Sequence, residues 1–463
     1  MNRINYSAAL PVYREVDVVV VGAGPAGIAA AVSAARNGAR VFVFDQWGSV
    51  GGMATMGLVG PFMTSYDSTG NEQIIKGVFQ ELVERMCEMG GAIHPGEIGP
   101  ECSYSGYYKL GHNRVGPFDH ETFKIVATDM IAESGAELLL HTSFVDVLME
   151  DNSISGVIIS NKAGLSVVKA KMVIDCTGDG DVAARAGVDF DLGGGEKSNM
   201  QPATLFFRVC NVNTAELDAH IAEHAHEIRP FFGPFSWLIR EKAEEWEGVQ
   251  RGEVCLFESP NKGEFRMNVT RILNVDSTRP EDLTRAEIEG TKQAQKAFSF
   301  LKKYGAGFKD AIFMGTAAVV GIRESRHIHG IKKIVGDDVI HCRVPADTIA
   351  VMATNMDTHN ENDVGGSFHV VQNGPYYGVP YGCLVPERVD NLLVAGRCIS
   401  ADAIAASSIR MIPCCIAFGQ AAGTAAAMAA ESSKKPGDID TQKLRARLME
   451  QGSYLGACNE NNE

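Results

Sequence analysis

The sequence predicts an α/β protein built on a parallel sheet with a β-meander, into which a second, α+β domain is inserted. Three observations carry that expectation. The chain opens on "VDVVVVGAGPAGIAAAVSAARNGARVFVFD", Val16 to Asp45: a β-branched strand, a glycine turn, an alanine-rich helix and a second apolar strand ending in an acid. Three short strands then succeed one another in "ELLLHTSFVDVLMED", "SISGVIISNK" and "LSVVKAKMVIDCTGDGD". Near its end the chain returns to a strand, a loop and a long helix of small residues in "NLLVAGRCISADAIAASSIRMIPCCIAFGQAAGTAAAMAA".

The opening stretch reads as the first half of a Rossmann unit, and each residue type has a reason to be there. Gly22 lets the chain turn sharply out of the strand, Gly24 lets backbone approach a pyrophosphate, and Gly27 lets the helix pack closely on the sheet. Phosphates there meet the free N–H groups of a helix N-terminus. Asp45, about 20 residues on, can accept hydrogen bonds from ribose hydroxyls. Ala31 and Gly38 fall where the helix crosses the strand and stops. FAD and NAD satisfy these constraints equally.

Further along, "QWGSVGGMATMGLVGPF" carries a Gly51-Gly52 doublet suited to backbone passing close to a phosphate or flavin. "EQIIKGVFQELVERMCEMGG" predicts a helix from Ile74, Val78, Leu82 and Met86, and "FDHETFKIVATDMIAESGA" a second, capped near Asp119. From about Asp191 to Pro380 the texture changes to mixed strands, an acidic helix "SWLIREKAEEWEGV" and a polar, loop-rich stretch from Thr354 to Asn373. The expected division is therefore a nucleotide-binding domain in two parts, residues 1–190 and 381–463, around an inserted substrate domain, 191–380.

Composition narrows the function. Of 463 residues 45% are hydrophobic and 21% charged, an ordinary globular balance. The net charge of −15 argues against a nucleic-acid partner. The longest apolar run, "CCIAFGQAAGTAAAMAA", is rich in Ala and Gly and reads as too weakly apolar for a membrane span. "MNRINYSAALPVYREVD" shows no signal-peptide pattern. Eleven cysteines without a CxxC pair offer no zinc, iron–sulfur or redox-disulfide ligand set and no metal site. Their odd number suits a reducing, cytoplasmic location, with Cys176, Cys210, Cys414 and Cys415 as small core residues.

With these segments in order the sequence resembles the FAD-dependent oxidoreductases of the glutathione-reductase-like FAD-binding superfamily, related to fumarate-reductase-like flavoproteins. The resemblance rests on the glycine fingerprint, Asp45 followed by Gly51-Gly52-Met53-Ala54-Thr55, "VIDCTGDGDVAARAG", "MQPATLFFRV", "GIRESRHIHG", "YGVPYGCLVP" and the late "AGR" segment. It implies a Rossmann-like FAD-binding domain and FAD as the cofactor. The residues it implies for FAD are Gly22, Gly24, Pro25, Ala26, Gly27, Asp45, Gly51, Gly52, Met53, Ala54, Thr55, Phe144, Thr177, Gly178, Asp179, Gly396, Arg397, Ile409 and Ile412. Arg397 stands where many relatives carry an acid after the late "AG", which favours a pyrophosphate contact over a ribityl one. A helix beginning near Ile409 to Pro413 would set its positive end against the N1–C2=O edge of the flavin.

The expected activity is hydride exchange between a small organic substrate and flavin N5, with an electron-transfer partner or second substrate completing the cycle. The alternative is an FAD-bearing electron-transfer subunit of a larger redox complex, and a homodimer is the expected assembly. His359, in the Asp-x-His element "NMDTHNEND", is the candidate proton carrier. Arg323 and Arg326, in "GIRESRHIHG", are the candidates for binding a carboxylate or polarising a carbonyl. Alternation would put Arg323 and Ser325 on one face and Glu324 and Arg326 on the other. Tyr376, Tyr377 and Tyr381 flank the junction, while His94, His112 and His120 have no comparable company.

Overall fold

The computed structural model describes residues 4, 7–193, 200–359, 366–371 and 373–459. The first half alternates as read: β1 (Val12–Val21), α1 (Pro25–Arg36), β2 (Val41–Phe44), α2 (Val78–Glu88), α3 (His120–Ser134) and β3 (Glu137–Leu139). The meander follows as β4 (Ser143–Glu150), β5 (Ser153–Asn161) and β6 (Gly164–Asp175). Strands order β3-β2-β1-β6-β5-β4, with β3-β2-β1-β6 paired in parallel and the β6-β5 and β5-β4 pairs antiparallel. At 12 residues β6 is long enough for two neighbours on one side. Its first half pairs with β5, and Val173–Asp175 pairs in parallel with a late strand, Leu392–Val394. The first and last parts of the chain thus close one sheet. Val18 to Val21 and Val41 to Phe44 are buried, as a sheet covered on both faces requires.

Beyond the meander come α4 (Asp181–Arg185), β7 (Phe190–Leu192), β8 (Phe207–Cys210), α5 (Thr214–Glu223), α6 (Ser236–Glu241), α7 (Ala243–Trp246), β9 (Cys255–Glu258), β10 (Phe265–Asn268), α8 (Pro280–Tyr304) and β11 (Ile312–Thr316). Strands β11-β8-β10-β9 form an antiparallel sheet. Its side chains, with α5, α6 and α8, make a second core around Phe207, Phe235, Phe265, Leu301 and Phe308. The chain then continues through β12 (Arg326–Ile328), α9 (Gly336–Ile340), β13 (Thr348–Met352), β14 (Met356–His359), β15 (Gly366–His369) and β16 (Tyr377–Pro380). Ile328, Ile349, Val351, Met356 and Tyr377 bury into the first core, so the stretch 191–380 serves two cores. The late strand is β17 (Leu392–Val394), followed by α10 (Ala403–Ile409), α11 (Ile412–Ser432) and α12 (Thr441–Glu450).

Several local readings are corrected. Gly77 holds φ +63, so α2 starts at Val78; Ile74 is buried but precedes the helix. The acidic helix breaks at Lys242 into α6 and α7, and Trp246 is anchored by Nε1–H donating to Arg251 O at 2.6 Å. The polar stretch after Thr354 holds the β14–β15 hairpin; residues 360–365 and 372 lie outside the described residues. Cys210 is half-buried, whereas Cys176, Cys414 and Cys415 are core.

Helix α11 also differs. By length and mean hydropathy, 1.4, it qualifies as a membrane-crossing helix, yet 89% of that window is buried inside the fold. It lies directly on α1. A Cβ on Gly419 would sit 2.0 Å from Ala26 O, and one on Gly423 2.2 Å from Ala30 O, one helical turn apart on each partner.

Candidate active site

The glycine turn is as close-built as its spacing implies. Gly22 has φ +98, and a Cβ there would lie 2.6 Å from Cys176 O; one on Gly27 would lie 1.8 Å from Gly22 O. Gly24 is different: a Cβ would meet nothing nearer than Gly52 Cα at 4.0 Å. Packing within the protein does not require glycine there, whereas a pyrophosphate against the backbone does. No side chain caps the N-terminus of α1, which leaves its first N–H groups for an anion. Asp45 is buried, with Oδ2 accepting from Ala23 N at 2.7 Å and Oδ1 from Trp47 N at 3.0 Å. Burial pushes its pKa up against those bonds, and ribose hydroxyls would give it further donors.

The doublet after the acid holds positive φ at Gly51 (+107) and Gly52 (+47). Met53 and Ala54 complete its 3-10 turn, and Thr55 Oγ1 donates to Val50 O at 2.8 Å, folding back over Gly51. In the turn after β6, Thr177 Oγ1 donates to Asp175 Oδ1 at 2.7 Å and Gly178 has φ +82. Phe144, on β4, packs half-buried against the first core. Gly396 has φ +107, with Ala26 Cβ 3.4 Å from where its own Cβ would be. Helix α11 starts at Ile412 with Pro413 in its first turn and no side-chain cap, while Ile409 ends α10. These features fit an extended dinucleotide laid from Asp45 over two uncapped helix N-termini.

Arg397 is engaged within the protein: Nη2 lies 2.5 Å from Asp179 Oδ1, and Nη1 donates to Ser325 Oγ at 2.7 Å. Arg326 takes the neighbouring part of the same loop, donating to Asp179 O at 2.9 Å and Asp181 Oδ1 at 2.8 Å. Strand β12 begins only at Arg326, so the expected alternation fails and Ser325 and Arg326 reach one loop together. Glu324 accepts from Gln201 N at 3.1 Å and lies 3.2 Å from His327 Nε2.

Arg323 and His359 do meet. With Pro202, Phe231, Arg251, Glu253 and Arg271 they line a pocket with about 250 Å³ of non-atom space, its open mouth included. His359 Nε2 lies 3.0 Å from Asp357 Oδ2, and its ring stands edge-on to Phe231 at 5.8 Å. Burial raises the Asp357 pKa, but the interaction with His359 and then the Arg410 and Arg323 guanidiniums outweigh it and hold the carboxyl well below the usual carboxylate range. A carboxylate only accepts, so Nε2 carries the imidazole proton and Nδ1 is the ring's basic nitrogen. Burial, opposed by Asp357 and reinforced by Arg323, pulls the His359 pKa down to about 4, so the ring is neutral at neutral pH. Burial and the neighbouring Arg410 and Arg251 also pull Arg323 down, to about 9, which still leaves it a cation at neutral pH.

Arg410 connects this pocket to the uncapped end of α11. It precedes Ile412 by two residues and donates to Gln201 Oε1 at 2.7 Å, Asp357 O at 3.1 Å and Arg323 O at 3.5 Å. Sequence reasoning missed Arg251, Glu253, Arg271 and Arg410: Arg251 and Glu253 are two residues apart in a segment with no motif, Arg271 stands alone, and only Arg410 falls inside a quoted motif. It also set aside His112, whose ring packs 4.8 Å from that of Tyr108 and whose charge would couple to Asp357 and Glu253. Tyr377 and Tyr381 are fully buried packing residues bonded to Ser408 Oγ and Pro436 O. Apart from the pocket's lining, the end of α5 and the residue that follows it bring one nitrogen each of His220 and His224 and a carboxylate oxygen of Glu223 within 4.8 Å of one another, a group that no CxxC-type spacing announced.

The chain is 29% identical to a thiamine thiazole synthase from Pyrococcus horikoshii over 181 residues, 37% of the chain and 60% of that protein. It is 32% identical to the one from Methanococcus aeolicus over 200 residues, 40% of the chain and 65% of that protein. The chain thus spans less than two thirds of these curated relatives. Among solved structures, a geranylgeranyl bacteriochlorophyll reductase-like protein from Thermoplasma acidophilum aligns over 95% of the chain and 84% of its own, at 15% identity and TM-score 0.46. A p-nitrophenol 4-monooxygenase from Pseudomonas putida aligns over 95% and 87%, at 12% identity and TM-score 0.46. Residues 17–448 match the FAD dependent oxidoreductase family. The chain belongs to that family of enzymes, and its cofactor is FAD.

Proposed function

We propose that the protein oxidises a small organic substrate by passing a hydride to flavin N5, with His359 as the base. The residues that would hold FAD are the Gly22–Gly27 turn, Asp45, the Gly51–Thr55 turn, the Thr177–Asp179 loop and the N-terminus of α11. When bound, the flavin supplies the two-electron step, and positioning and proton movement fall to the chain. Neutral His359 takes a substrate proton on Nδ1 while Asp357 orients the ring and favours the imidazolium that forms. Arg323 and Arg251 fix the substrate in the pocket. The observation that carries this reading is the meeting of Arg323 and His359 in one pocket that Arg410 ties to the end of α11.

Anaerobic mixing of the FAD-loaded protein with small alcohols, hydroxy acids and amines tests it. Bleaching of the flavin bands by one of these, slowed in H359Q, is the expected result. A protein whose flavin is reduced by none of them and only by a redox protein would be an electron-transfer subunit, and the reading would fall.

A further inference from the structure

We propose that the pocket is an anion site and that the substrate is a small organic acid, a monoanion whose carboxylate is gripped by Arg323 and Arg251. The proposal rests on the reading above that this pocket is the substrate site. Two guanidiniums converge on one neutral acceptor: Arg251 Nη1 lies 3.0 Å and Arg323 Nη2 3.5 Å from Asn268 Oδ1. The other acceptor of Arg323 is Pro202 O, again neutral. Among the described residues neither of the two carboxylates nearby, Glu253 and Asp357, hydrogen-bonds Arg323. Glu253 accepts Arg251 through Oε1, and Tyr108 Oη at 2.5 Å and Gly233 N at 2.9 Å through Oε2. Asp357 Oδ2 lies 3.0 Å from His359 Nε2, and its charge favours the Arg323 cation without a hydrogen bond between them.

Arg251 is already paired with Glu253, whereas the buried Arg323 guanidinium beside it has only neutral hydrogen-bond acceptors among the described residues, so an anion entering the pocket would complete its pairing, and a carboxylate matches the planar fork of a guanidinium. Burial, and after it the Arg410 and Arg251 charges, lower the Arg323 pKa, in line with a guanidinium hydrogen-bonded to neutral acceptors. Glu253 in the lining limits the charge that enters: a carboxylate can face the arginines, while a phosphate dianion would meet Glu253 with a second negative charge. The restricted space and the walls of Pro202 and Phe231 confine the rest of the molecule to a short, partly apolar body.

Isothermal titration of the FAD-loaded protein with acetate, glycolate, inorganic phosphate and the neutral isostere acetamide provides the test. We expect acetate and glycolate to bind at least tenfold more tightly than acetamide, and more tightly than phosphate. Arg323→Met should lose at least tenfold of the acetate affinity with flavin content and Tm retained, and Arg323→Lys should recover part of it. If R323M loses flavin or unfolds, the comparison of acetate with acetamide on the unaltered protein decides. Equal binding of acetate and acetamide overturns the proposal, as does tighter binding of phosphate or an acetate affinity untouched in folded R323M. Organic acids that bind through Arg323 yet never bleach the flavin would sink the hydride-transfer reading and leave the anion site standing. Neutral compounds that bleach it regardless of Arg323 would do the reverse.

Discussion

The cofactor end of the site and the substrate pocket are made of different material. The first is backbone: Gly22 and Gly27 leave no room for a Cβ, Gly24 leaves open space beside its backbone, and all fall between β1 and Asp45 in one stretch of chain. The pocket is side chain, gathered from Pro202, Phe231, Arg251, Glu253, Arg271, Arg323 and His359. A site built by excluding side chains tolerates no added atom, whereas a site built by charges is tuned by each of them. The two should therefore break in different ways.

The largest effect belongs to the backbone end. In Gly27→Ala the new methyl group would lie 1.8 Å from Gly22 O, an overlap that only movement of the turn relieves. Such overpacking costs about 1–3 kcal/mol or more, and it displaces the N–H groups that face the pyrophosphate. Purified G27A should lack the flavin absorbance bands, with a lowered Tm; a yellow, stable G27A would refute the close-packing argument. At the pocket, His359→Gln should keep flavin and Tm but lower the rate of substrate-driven bleaching by roughly 10²–10⁴-fold, the usual contribution of a general base. Loss of flavin from H359Q would instead make His359 a structural residue.

That contrast also explains what the sequence reveals. The glycine turn, the strand order around β1 and β6, and the late strand and helix are legible because local spacing encodes them. Ile74 misleads because burial at period four continues past Gly77, whose positive φ stops the helix. An arginine in a motif is read by its charge alone, and only the fold reveals Asp179 and Asp181 as the partners of Arg397 and Arg326. Arg251 and Arg271 are silent in the sequence, since nothing in "QRGEV" or "VTRIL" indicates that the second sheet carries them to Arg323.

Arg326 offers an intermediate case that sharpens the division. Its ion pair with Asp181 is partly exposed on the acid's side, 46% for that side chain, so it should contribute no more than about 1 kcal/mol. Arg326→Gln should lower Tm by about 2 °C or less and reduce activity far less than H359Q does. A loss of activity as great as that of H359Q would move Arg326 into the chemistry.

The smallest effects, and the most specific to a charge-built pocket, are displacements of the acid limb of the pH–rate profile. Proton abstraction needs neutral His359, so activity should rise as pH increases through about 4 and stay level into the neutral range. Asp357 raises that pKa, and Arg323 and Arg251 lower it. Removing the carboxylate in Asp357→Asn therefore shifts the limb to lower pH, and because the amide can also donate to the ring, the rate on the plateau falls as well. Removing the cation in R323M shifts the limb upward, toward the ordinary imidazole value of about 6.5. Opposite displacements in the two variants, read from single-turnover bleaching across pH, would place the titrating group between these two charges. A limb that moves the same way in both would mean that another group, with His112 the nearest alternative, carries the proton.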